Sequence, residues 1–263
     1  MRVKPKKSLG QHFLANEAIA RRIAGALIND GGGRLGVLEV GCGTGALTRH
    51  LLAREDLLVK GIEIDGESIA YLRENLPEIM PRLYEADFLK SDLRKIFPEG
   101  EFCVIGNFPY NISSQIFFKI LDYKDDVPQV VGMLQREVAQ RLASGPGSKN
   151  YGILSVLLQA WYDIEYLFTV DEGEFIPPPK VKSAVIRMRR GSRKSLGCDE
   201  MQLRQVVKTA FGQRRKTAAN AVSAGLGVEK TQVQTAMERA GISPAARAEQ
   251  LTLEEYARLA GEL

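Results

Sequence analysis

The chain has 263 residues, of which 44% are hydrophobic and 26% charged, and a formal net charge of +4. This composition is that of a soluble globular protein, long for one domain and short for two large ones. No apolar run reaches the length of a membrane span, and the basic N-terminus lacks the apolar core of a signal peptide, so we expect a cytoplasmic protein without membrane association. Three scattered cysteines and two histidines form no zinc signature, so no metal site is predicted.

The first half of the chain alternates between short apolar strands and helical segments. A basic arm, residues 1–15, precedes a helix that Asn16 can cap and that is predicted to run to about Asn29. The segments that follow are strands at 37–40, 58–64, 82–86, 102–105 and 129–134 and helices at 46–54, 68–76 and 113–121. This alternation predicts an α/β fold with a parallel sheet.

A glycine-rich turn, Gly41-Cys42-Gly43-Thr44-Gly45, follows the first predicted strand. Glycines let the backbone come close to a ligand. Glu63, eighteen positions after Gly45, stands at the end of the next strand, the usual place for an acid that binds a ribose hydroxyl pair. The G-x-G-x-G form after Glu39 resembles motif I of class I S-adenosylmethionine-dependent methyltransferases. A nicotinamide-dinucleotide fold is the competing interpretation.

Two further strand ends carry polar groups. Asp87 can accept a hydrogen bond from a ligand amine or, alternatively, cap a helix. In Asn107-Phe108-Pro109-Tyr110, the amide oxygen and a proline carbonyl can accept hydrogen bonds from the exocyclic amine of a base, while Tyr110 offers a stacking face. The alternative is a strand-ending turn with an Asx cap. Because parallel strands end at one edge, the glycine-rich turn, Glu63, Asp87 and Asn107 should face one crevice.

The second half adds two closing strands and a group of helices. They are predicted as a helix at 136–143, a loop at 145–152, a buried helix at 153–160, strands at 163–170 and 184–188, and helices at 199–211, 216–224, 230–240 and 253–259. Phe175-Ile176-Pro177-Pro178-Pro179 is either a stiff connector or a rigid lip that presents Phe175 for stacking on a base. A basic, polar linker begins at about residue 191, so we predict two domains, 1–190 and 191–263.

Basic residues are concentrated around this linker. Between Arg187 and Thr217 there are ten of them, opposed only by Asp199 and Glu200. Such a block suits a polyanion such as nucleic acid, and a solvated basic face is the alternative.

Seven motifs spread over essentially the whole chain resemble those of the bacterial small-subunit (16S) ribosomal-RNA adenine N6,N6-dimethyltransferases. They lie at 9–14, 39–45, 107–113, 135–138, 145–152, 175–183 and 211–217. The fifth and the last look like the small-subunit branch of the ribosomal-RNA adenine N6-methyltransferase family, whereas the first and third are shared with enzymes that methylate a large-subunit adenine. His12 stands where many relatives carry Asn, and Phe108 where many carry Leu.

The resemblance implies a Rossmann-like class I methyltransferase sheet with a small C-terminal helical domain. It implies a monomer that transfers methyl groups from S-adenosylmethionine to N6 of two adjacent adenosines near the 3′ end of 16S rRNA in the immature small ribosomal subunit. It assigns S-adenosylmethionine to His12, Leu14, Gly41, Glu63, Asp87 and Asn107. It assigns the target adenine to Asn107, Pro109, Tyr110 and Phe175.

The resemblance also provides a partner for the basic residues. The linker, Arg214-Arg215-Lys216 and the arm lysines Lys4, Lys6 and Lys7 are expected to hold RNA phosphates, which place a substrate without selecting its base. Three alternatives remain open: a large-subunit adenine methyltransferase, an RNA-binding assembly factor for which methylation is secondary, and a small-molecule methyltransferase. The basic second domain disfavours the last of these.

Overall fold

The computed structural model describes residues 3–263 and divides the chain into two compact units. The first unit comprises the chain up to Ala139 together with Ile164–Arg190, and the second comprises Gln140–Asp163 together with Gly191–Leu263. Met1 and Arg2, the start of the predicted basic arm, lie outside the described residues. The boundary between the units at residue 191 therefore coincides with the predicted composition change. Residues 140–163 group with the C-terminal helices, and the composition of the chain does not indicate this.

Nine strands form two sheets in the described chain. They are β1 (Phe13–Leu14), β2 (Leu35–Val40), β3 (Leu57–Glu63), β4 (Leu83–Glu85), β5 (Cys103–Asn107), β6 (Gln129–Gln135), β7 (Tyr162–Val170), β8 (Phe175–Ile176) and β9 (Ser183–Arg190). The larger sheet has the order β4-β3-β2-β5-β6-β9-β7, and the smaller pairs β1 with β8. Strands β4, β3, β2, β5 and β6 run parallel to one another, and β9 is antiparallel to β6. The predicted α/β fold class is confirmed.

Eleven α-helices lie in the described residues. They are α1 (Glu17–Ala24), α2 (Thr48–Leu52), α3 (Gly66–Asn75), α4 (Leu93–Ile96), α5 (Ser113–Asp122), α6 (Arg136–Leu142), α7 (Ile153–Gln159), α8 (Glu200–Gly212), α9 (Ala218–Leu226), α10 (Lys230–Arg239) and α11 (Leu253–Glu262). Short 3-10 turns lie at Lys7–Leu9, Pro77–Arg82, Glu172–Glu174 and Ala248–Gln250.

The central strands are apolar on both faces because both faces are covered. In β2, Val37 and Leu38 are fully buried, and Val104 and Ile105 of β5 are buried beside them. Near-continuous apolar runs of this kind are typical of parallel strands with helices on both sides of the sheet. The buried sheet is the support that carries the polar residues at its carboxyl edge.

Helix α1 is shorter than predicted. Asn16 caps it as expected, its Oδ1 accepting from the Ile19 backbone N–H at 3.1 Å, but the helix ends at Ala24. The Gln129 side-chain amide donates to the Ile28 carbonyl at 2.9 Å and accepts from the Ile28 N–H at 3.0 Å. This long-range pairing satisfies the backbone that a longer helix would have satisfied internally.

In the second unit, residues 145–152 are attached to the C-terminal helices. The Arg214 guanidinium donates to the carbonyls of Lys149 at 2.6 Å and Tyr151 at 2.9 Å, and the Tyr151 ring meets Phe211 edge-on at 6.0 Å. The Gly147 N–H donates to the Glu249 carbonyl at 2.7 Å. These contacts explain why 140–163 belong to the second unit.

Candidate active site

A cavity of about 240 Å³ lies at the carboxyl ends of β2, β3 and β5 in the first unit. Seven of the nine residues predicted for the site line it: His12, Gly41, Glu63, Asp87, Asn107, Pro109 and Tyr110. Leu14 and Phe175 are outside this lining. The expected crevice is therefore formed by residues that are distant in sequence, as parallel topology requires.

The glycine-rich turn supplies one wall of the cavity. Gly41 has φ +75°, a conformation that suits glycine, and an added Cβ there would meet no described atom within 4 Å. The Gly43 N–H donates to Glu63 Oε2 at 2.8 Å. The backbone at Gly41 therefore borders open space, where a ligand can approach it closely.

Glu63 is held by three backbone donors. Besides Gly43, the N–H groups of Ile64 and Asp65 donate to its Oε1 at 2.9 and 2.8 Å. Burial raises the pKa of the carboxyl, and these three N–H groups oppose the rise. The oxygen Oε2 accepts one hydrogen bond among the described residues, which leaves it capacity for a hydroxyl donor.

A second carboxyl, Glu39, lies beneath the turn and is fully buried. Burial raises its pKa to about 8, the Thr48 hydroxyl opposes this, and the charge of Glu63 adds to it. Glu39 does not line the cavity, so its role is in the support below the turn.

Asp87 follows β4 and lines the cavity with its neighbour Phe88. Its Oδ1 accepts from the Leu89 N–H at 2.9 Å, and its Oδ2 is 3.8 Å from Lys90 Nζ. The carboxylate therefore caps a turn, not a helix, because α4 begins only at Leu93.

Asn107 is the last residue of β5, and its amide orientation is determined by one bond. Its Nδ2 donates to the His12 carbonyl at 2.8 Å. Within residues 3–263 this is the side chain's one hydrogen bond, so Oδ1 is available to a donor in the cavity. The Asn107 side chain thus donates a hydrogen bond to the arm through Nδ2, while its Oδ1 can accept one from a ligand.

Phe108 and Pro109 make the chain turn after β5. Phe108 is fully buried and meets Phe117 edge-on at 5.8 Å. The Pro109 carbonyl accepts from the Ile112 N–H at 3.2 Å. A carbonyl oxygen has two lone pairs, so one acceptor position remains for the predicted contact with an amine.

Tyr110 is half-buried, and its phenol bonds to the hydroxyl of Ser183. Burial raises the pKa of this phenol. The His12 ring stacks on it at 5.3 Å between centroids, and His12 Nδ1 donates to the Pro177 carbonyl at 2.9 Å. One face of Tyr110 is therefore occupied by the protein itself.

The expected presentation of Phe175 is wrong. Its side chain is 2% exposed and belongs to the core, because β8 pairs antiparallel with β1, Phe175 opposite Leu14. A residue that fills the core offers no surface to a base. Leu14 is buried in the same cluster and directly follows the cavity-lining residues His12 and Phe13 in the chain.

Ile64 is a cavity residue that sequence reasoning missed. It is 54% exposed, unusual for an apolar side chain directly after a buried strand. It lines the cavity next to Glu63, where it offers an apolar surface to a ligand ring. Its position after the strand-ending acid was the available signal.

The described residues show no cluster of potential metal ligands. Among residues 3–263, no group of three or more His, Cys, Asp or Glu side chains is arranged to hold a metal ion. The three cysteines are free thiols: Cys42 and Cys103 are buried as predicted, and Cys198 is only half-buried. No helix in the described range is long and apolar enough to cross a membrane.

A family model described as ribosomal RNA adenine dimethylase matches residues 2–263. The chain belongs to the ribosomal RNA adenine dimethylase family. Members of this family are methyltransferases, so the predicted enzyme class is confirmed. The cavity at the carboxyl edge is accordingly the candidate active site of a ribosomal RNA adenine dimethylase.

Two relatives in this dimethylase family carry the same name, ribosomal RNA small subunit methyltransferase A. The protein from Parabacteroides distasonis is 63% identical over 226 residues, which cover 86% of this chain and 83% of that protein. The protein from Bacteroides thetaiotaomicron is 53% identical over 261 residues, 99% of this chain and 94% of that one.

Two solved structures are similar to this dimethylase. The 23S rRNA methyltransferase ErmE has a TM-score of 0.69 and 27% identity, covering 95% of this chain and 99% of its own. A dimethyladenosine transferase from Plasmodium falciparum has a TM-score of 0.75 and 24% identity, covering 94% and 96%, and this likeness shows the fold alone.

Proposed function

We propose that this ribosomal RNA adenine dimethylase transfers methyl groups from S-adenosylmethionine to N6 of two adjacent adenosines near the 3′ end of 16S rRNA. The product is N6,N6-dimethyladenosine, and the substrate is an immature small ribosomal subunit in the cytoplasm, bound by a monomer. The observation that carries the chemistry is the Asn107 amide, whose oxygen is left available at the strand end that shares a cavity with Glu63.

The choice of small subunit is supported by the relatives. Those named small subunit methyltransferase A are 53% and 63% identical to this chain, whereas the 23S rRNA methyltransferase is 27% identical. This difference favours 16S over 23S rRNA as the substrate.

The cavity suits S-adenosylmethionine by its hydrogen-bond acceptors, its apolar surface and its open space. Glu63 Oε2 can accept from a ribose hydroxyl, Ile64 offers an apolar face to the adenine, and Asp87 can accept from the adenine amine. The open space beside Gly41 admits the ligand where a side chain would fill it. When bound, S-adenosylmethionine supplies an electrophilic methyl group on a sulfonium.

The residues near Asn107 prepare the nucleophile. The amine of an adenine is poorly nucleophilic because its lone pair is delocalised into the ring. Asn107 Oδ1 and the Pro109 carbonyl accept from this amine, which aims its lone pair and stabilises the positive charge that grows on nitrogen. The proton of the methylated ammonium passes to solvent. The target base leaves its stack to reach this position.

The test is transfer of labelled methyl groups from S-adenosylmethionine to undermodified small subunits, with large subunits and free RNA in parallel, followed by nucleoside analysis. We expect N6,N6-dimethyladenosine in small-subunit RNA only. Label in the large subunit would move the protein to the 23S branch. Binding of small subunits without any label would favour an assembly factor.

A further inference from the structure

The N-terminal arm forms a wall of the cavity. Its lining residues are Ser8, Leu9, Gly10, Gln11, His12 and Phe13. We call residues 6–13 the arm segment. Two groups of hydrogen bonds attach it to the rest of the unit, one to Asp65 beyond β3 and one to Asn107 and Asn111 at the end of β5.

The first attachment is made to Asp65, a buried carboxylate two residues beyond the end of β3. Lys6 Nζ pairs with Asp65 Oδ1, and Gln11 Nε2 donates to Oδ2 at 3.1 Å. Gln11 Oε1 also accepts from the Lys6 backbone N–H at 2.9 Å. The Gln11 amide thus closes the arm segment on itself and binds it to Asp65. The expectation that Lys6 is available to RNA phosphates is wrong, because its charge is already paired.

The second attachment is made to Asn107, the proposed acceptor for the substrate amine, and to Asn111. Asn107 Nδ2 donates to the His12 carbonyl at 2.8 Å, and Asn111 Nδ2 donates to the Ser8 carbonyl at 3.3 Å. The orientation of the Asn107 amide therefore depends on where the arm segment holds the His12 carbonyl.

The first attachment also contacts the proposed cofactor-facing acid. The Asp65 N–H donates to Glu63 Oε1 at 2.8 Å, so the residue that holds the arm segment is bonded directly to Glu63. Burial would raise the pKa of Asp65, but the hydrogen bonds from Lys6, Gln11 and Ser68 outweigh it and lower the pKa to about 2. The carboxylate thus stays ionised, and the ion pair persists, throughout the neutral range.

We propose that Asp65 is a positioning residue for methyl transfer. Through Lys6 and Gln11 it holds the arm segment closed over the cofactor cavity and keeps the His12 carbonyl where it orients the Asn107 amide. This inference rests on the proposed function of the same cavity. It adds a contact between Lys6 and Asp65. These two residues lie 59 positions apart in sequence and outside the motifs that identify the site.

A purely local role for Asp65 makes a different prediction. Asp65 also caps α3, accepting from the Glu67 N–H at 3.3 Å and from the Ser68 hydroxyl at 2.9 Å. If capping were its whole role, removing the Lys6 charge would change neither cofactor affinity nor turnover. Variants at Lys6 therefore separate the two roles and leave the cap intact.

The experiment compares Lys6→Met with Lys6→Arg and with Lys7→Met in the full chain. Lys7 is an exposed neighbour without an ion pair in residues 3–263, so it controls for the loss of one arm charge. The readouts are the Kd of S-adenosylhomocysteine without RNA, kcat and KM on undermodified small subunits, the melting temperature, and hydrogen exchange of amides 8–13.

For Lys6→Met we expect about a tenfold rise in Kd and about a tenfold fall in kcat, because both the cavity wall and the Asn107 amide lose their support. Exchange of amides 8–13 should accelerate. The melting temperature should fall only slightly, because Gln11, Ser68 and the Glu67 N–H still bind the buried Asp65 carboxylate after the Lys6 charge is lost. Lys6→Arg should restore Kd and kcat, and Lys7→Met should match the wild type in the Kd of S-adenosylhomocysteine and in exchange, the two readouts that involve no RNA.

Unchanged Kd, kcat and exchange in Lys6→Met would overturn the proposal. Equal losses in Lys6→Met and Lys7→Met would also overturn it, because they would assign the effect to general charge. A wild-type protein that transfers no methyl would refute the proposed function instead. Exchange of amides 8–13 still tests the attachment in that case, since it requires no activity.

Discussion

A carbonyl oxygen accepts hydrogen bonds but cannot donate them, so the bond from Asn107 to the His12 carbonyl determines which end of the amide is free. The amide nitrogen faces the arm, and the oxygen is left to the cavity. Asn111 makes a similar bond to the Ser8 carbonyl. The two asparagines attach the arm alike but differ in their position relative to the proposed amine site.

This difference makes Asn111 a matched control for Asn107. In Asn107→Ala we expect kcat for small-subunit methylation to fall about 10²- to 10³-fold, as for removal of one preorganised electrostatic contact. Asn111→Ala loses an arm bond without losing an amine acceptor, so its kcat should fall far less. Single-turnover methylation measures both. Similar losses in the two variants would show that Asn107 acts only through the arm.

The titration of Glu39 makes the unfolding free energy depend on pH. Its carboxyl has an ordinary pKa of 4.5, raised by burial to about 8 in the folded protein. Between these values the folded protein keeps a proton that the unfolded chain releases. The contribution of Glu39 to the unfolding free energy is therefore fully present below pH 4.5 and is lost as pH rises through 8, at about 1.4 kcal/mol per pH unit.

The substitution Glu39→Gln removes this titration while keeping the size of the side chain. We expect the variant to match the wild type near pH 5 and to exceed it in unfolding free energy by several kcal/mol at pH 8.5, because the amide requires no ionisation in the core. Urea denaturation at both pH values measures the difference. A difference independent of pH would show that Glu39 does not titrate in this window.

At the scale of elements, the turn after β5 depends on how its strand packs against β6. The Phe108 ring lies between two glycines, one in each strand. A Cβ at Gly132 would come within 2.5 Å of Phe108 Cε2, whereas a Cβ at Gly106 would come within 2.6 Å of the Val40 carbonyl oxygen. Gly132 thus makes room for the Phe108 ring, whereas Gly106 makes room both for that ring, at 2.9 Å, and for the Val40 backbone.

A pair of double variants can separate these two causes. Gly132→Ala should lower the unfolding free energy by about 1–3 kcal/mol through overpacking against Phe108. Adding Phe108→Leu should recover most of this loss, because the smaller side chain vacates the space. The same addition should recover much less of the loss in Gly106→Ala, because the clash with the Val40 carbonyl oxygen remains. Equal recovery of both would contradict the assigned contacts, and chemical denaturation of the four variants measures it.

For the whole molecule, the net charge of +4 matters less than which basic groups are free to meet a polyanion. Arg187 pairs with Glu165 at 2.6 Å, and Arg193 pairs with Glu254 at 3.1 Å. Arg214 is occupied by two backbone carbonyls. Arg187, Arg193 and Arg214 therefore already have partners within the protein, so Arg215 and Lys216 are the stronger candidates for RNA contacts in the predicted cluster.

Arg215 and Lys216 remain exposed, and no ion pair engages them within residues 3–263. We expect Arg215→Glu to weaken binding of small subunits and to reduce the slope of log K against log salt by about one, the loss of one phosphate contact. Lys230→Glu, an equal charge change outside the basic block, is the control. The binding assay is run across a salt series. Equal effects of the two reversals would assign the change to net charge.

Local patterns predicted several of the polar residues that line the cavity. Apolar runs identified the parallel strands, and the polar groups at their ends, Glu63, Asp87 and Asn107, were expected in one crevice before any contact was known. This succeeds because strand periodicity is local and because parallel strands must end at one edge. The positions of α5 and of the α1 cap at Asn16 followed from the same short-range chemistry.

The contacts that prepare those residues were decided by tertiary structure. The pairing of Leu14 with Phe175, the bond of Tyr110 to Ser183 and the ion pair of Lys6 with Asp65 join segments 59 or more residues apart. No local pattern encodes such pairs, because each depends on how the whole chain folds back on the sheet. The sequence by itself determined that the strand-end groups of Glu63, Asp87 and Asn107 share one cavity, because parallel strands end at one edge, and the fold decided which atoms of these groups are free to act there.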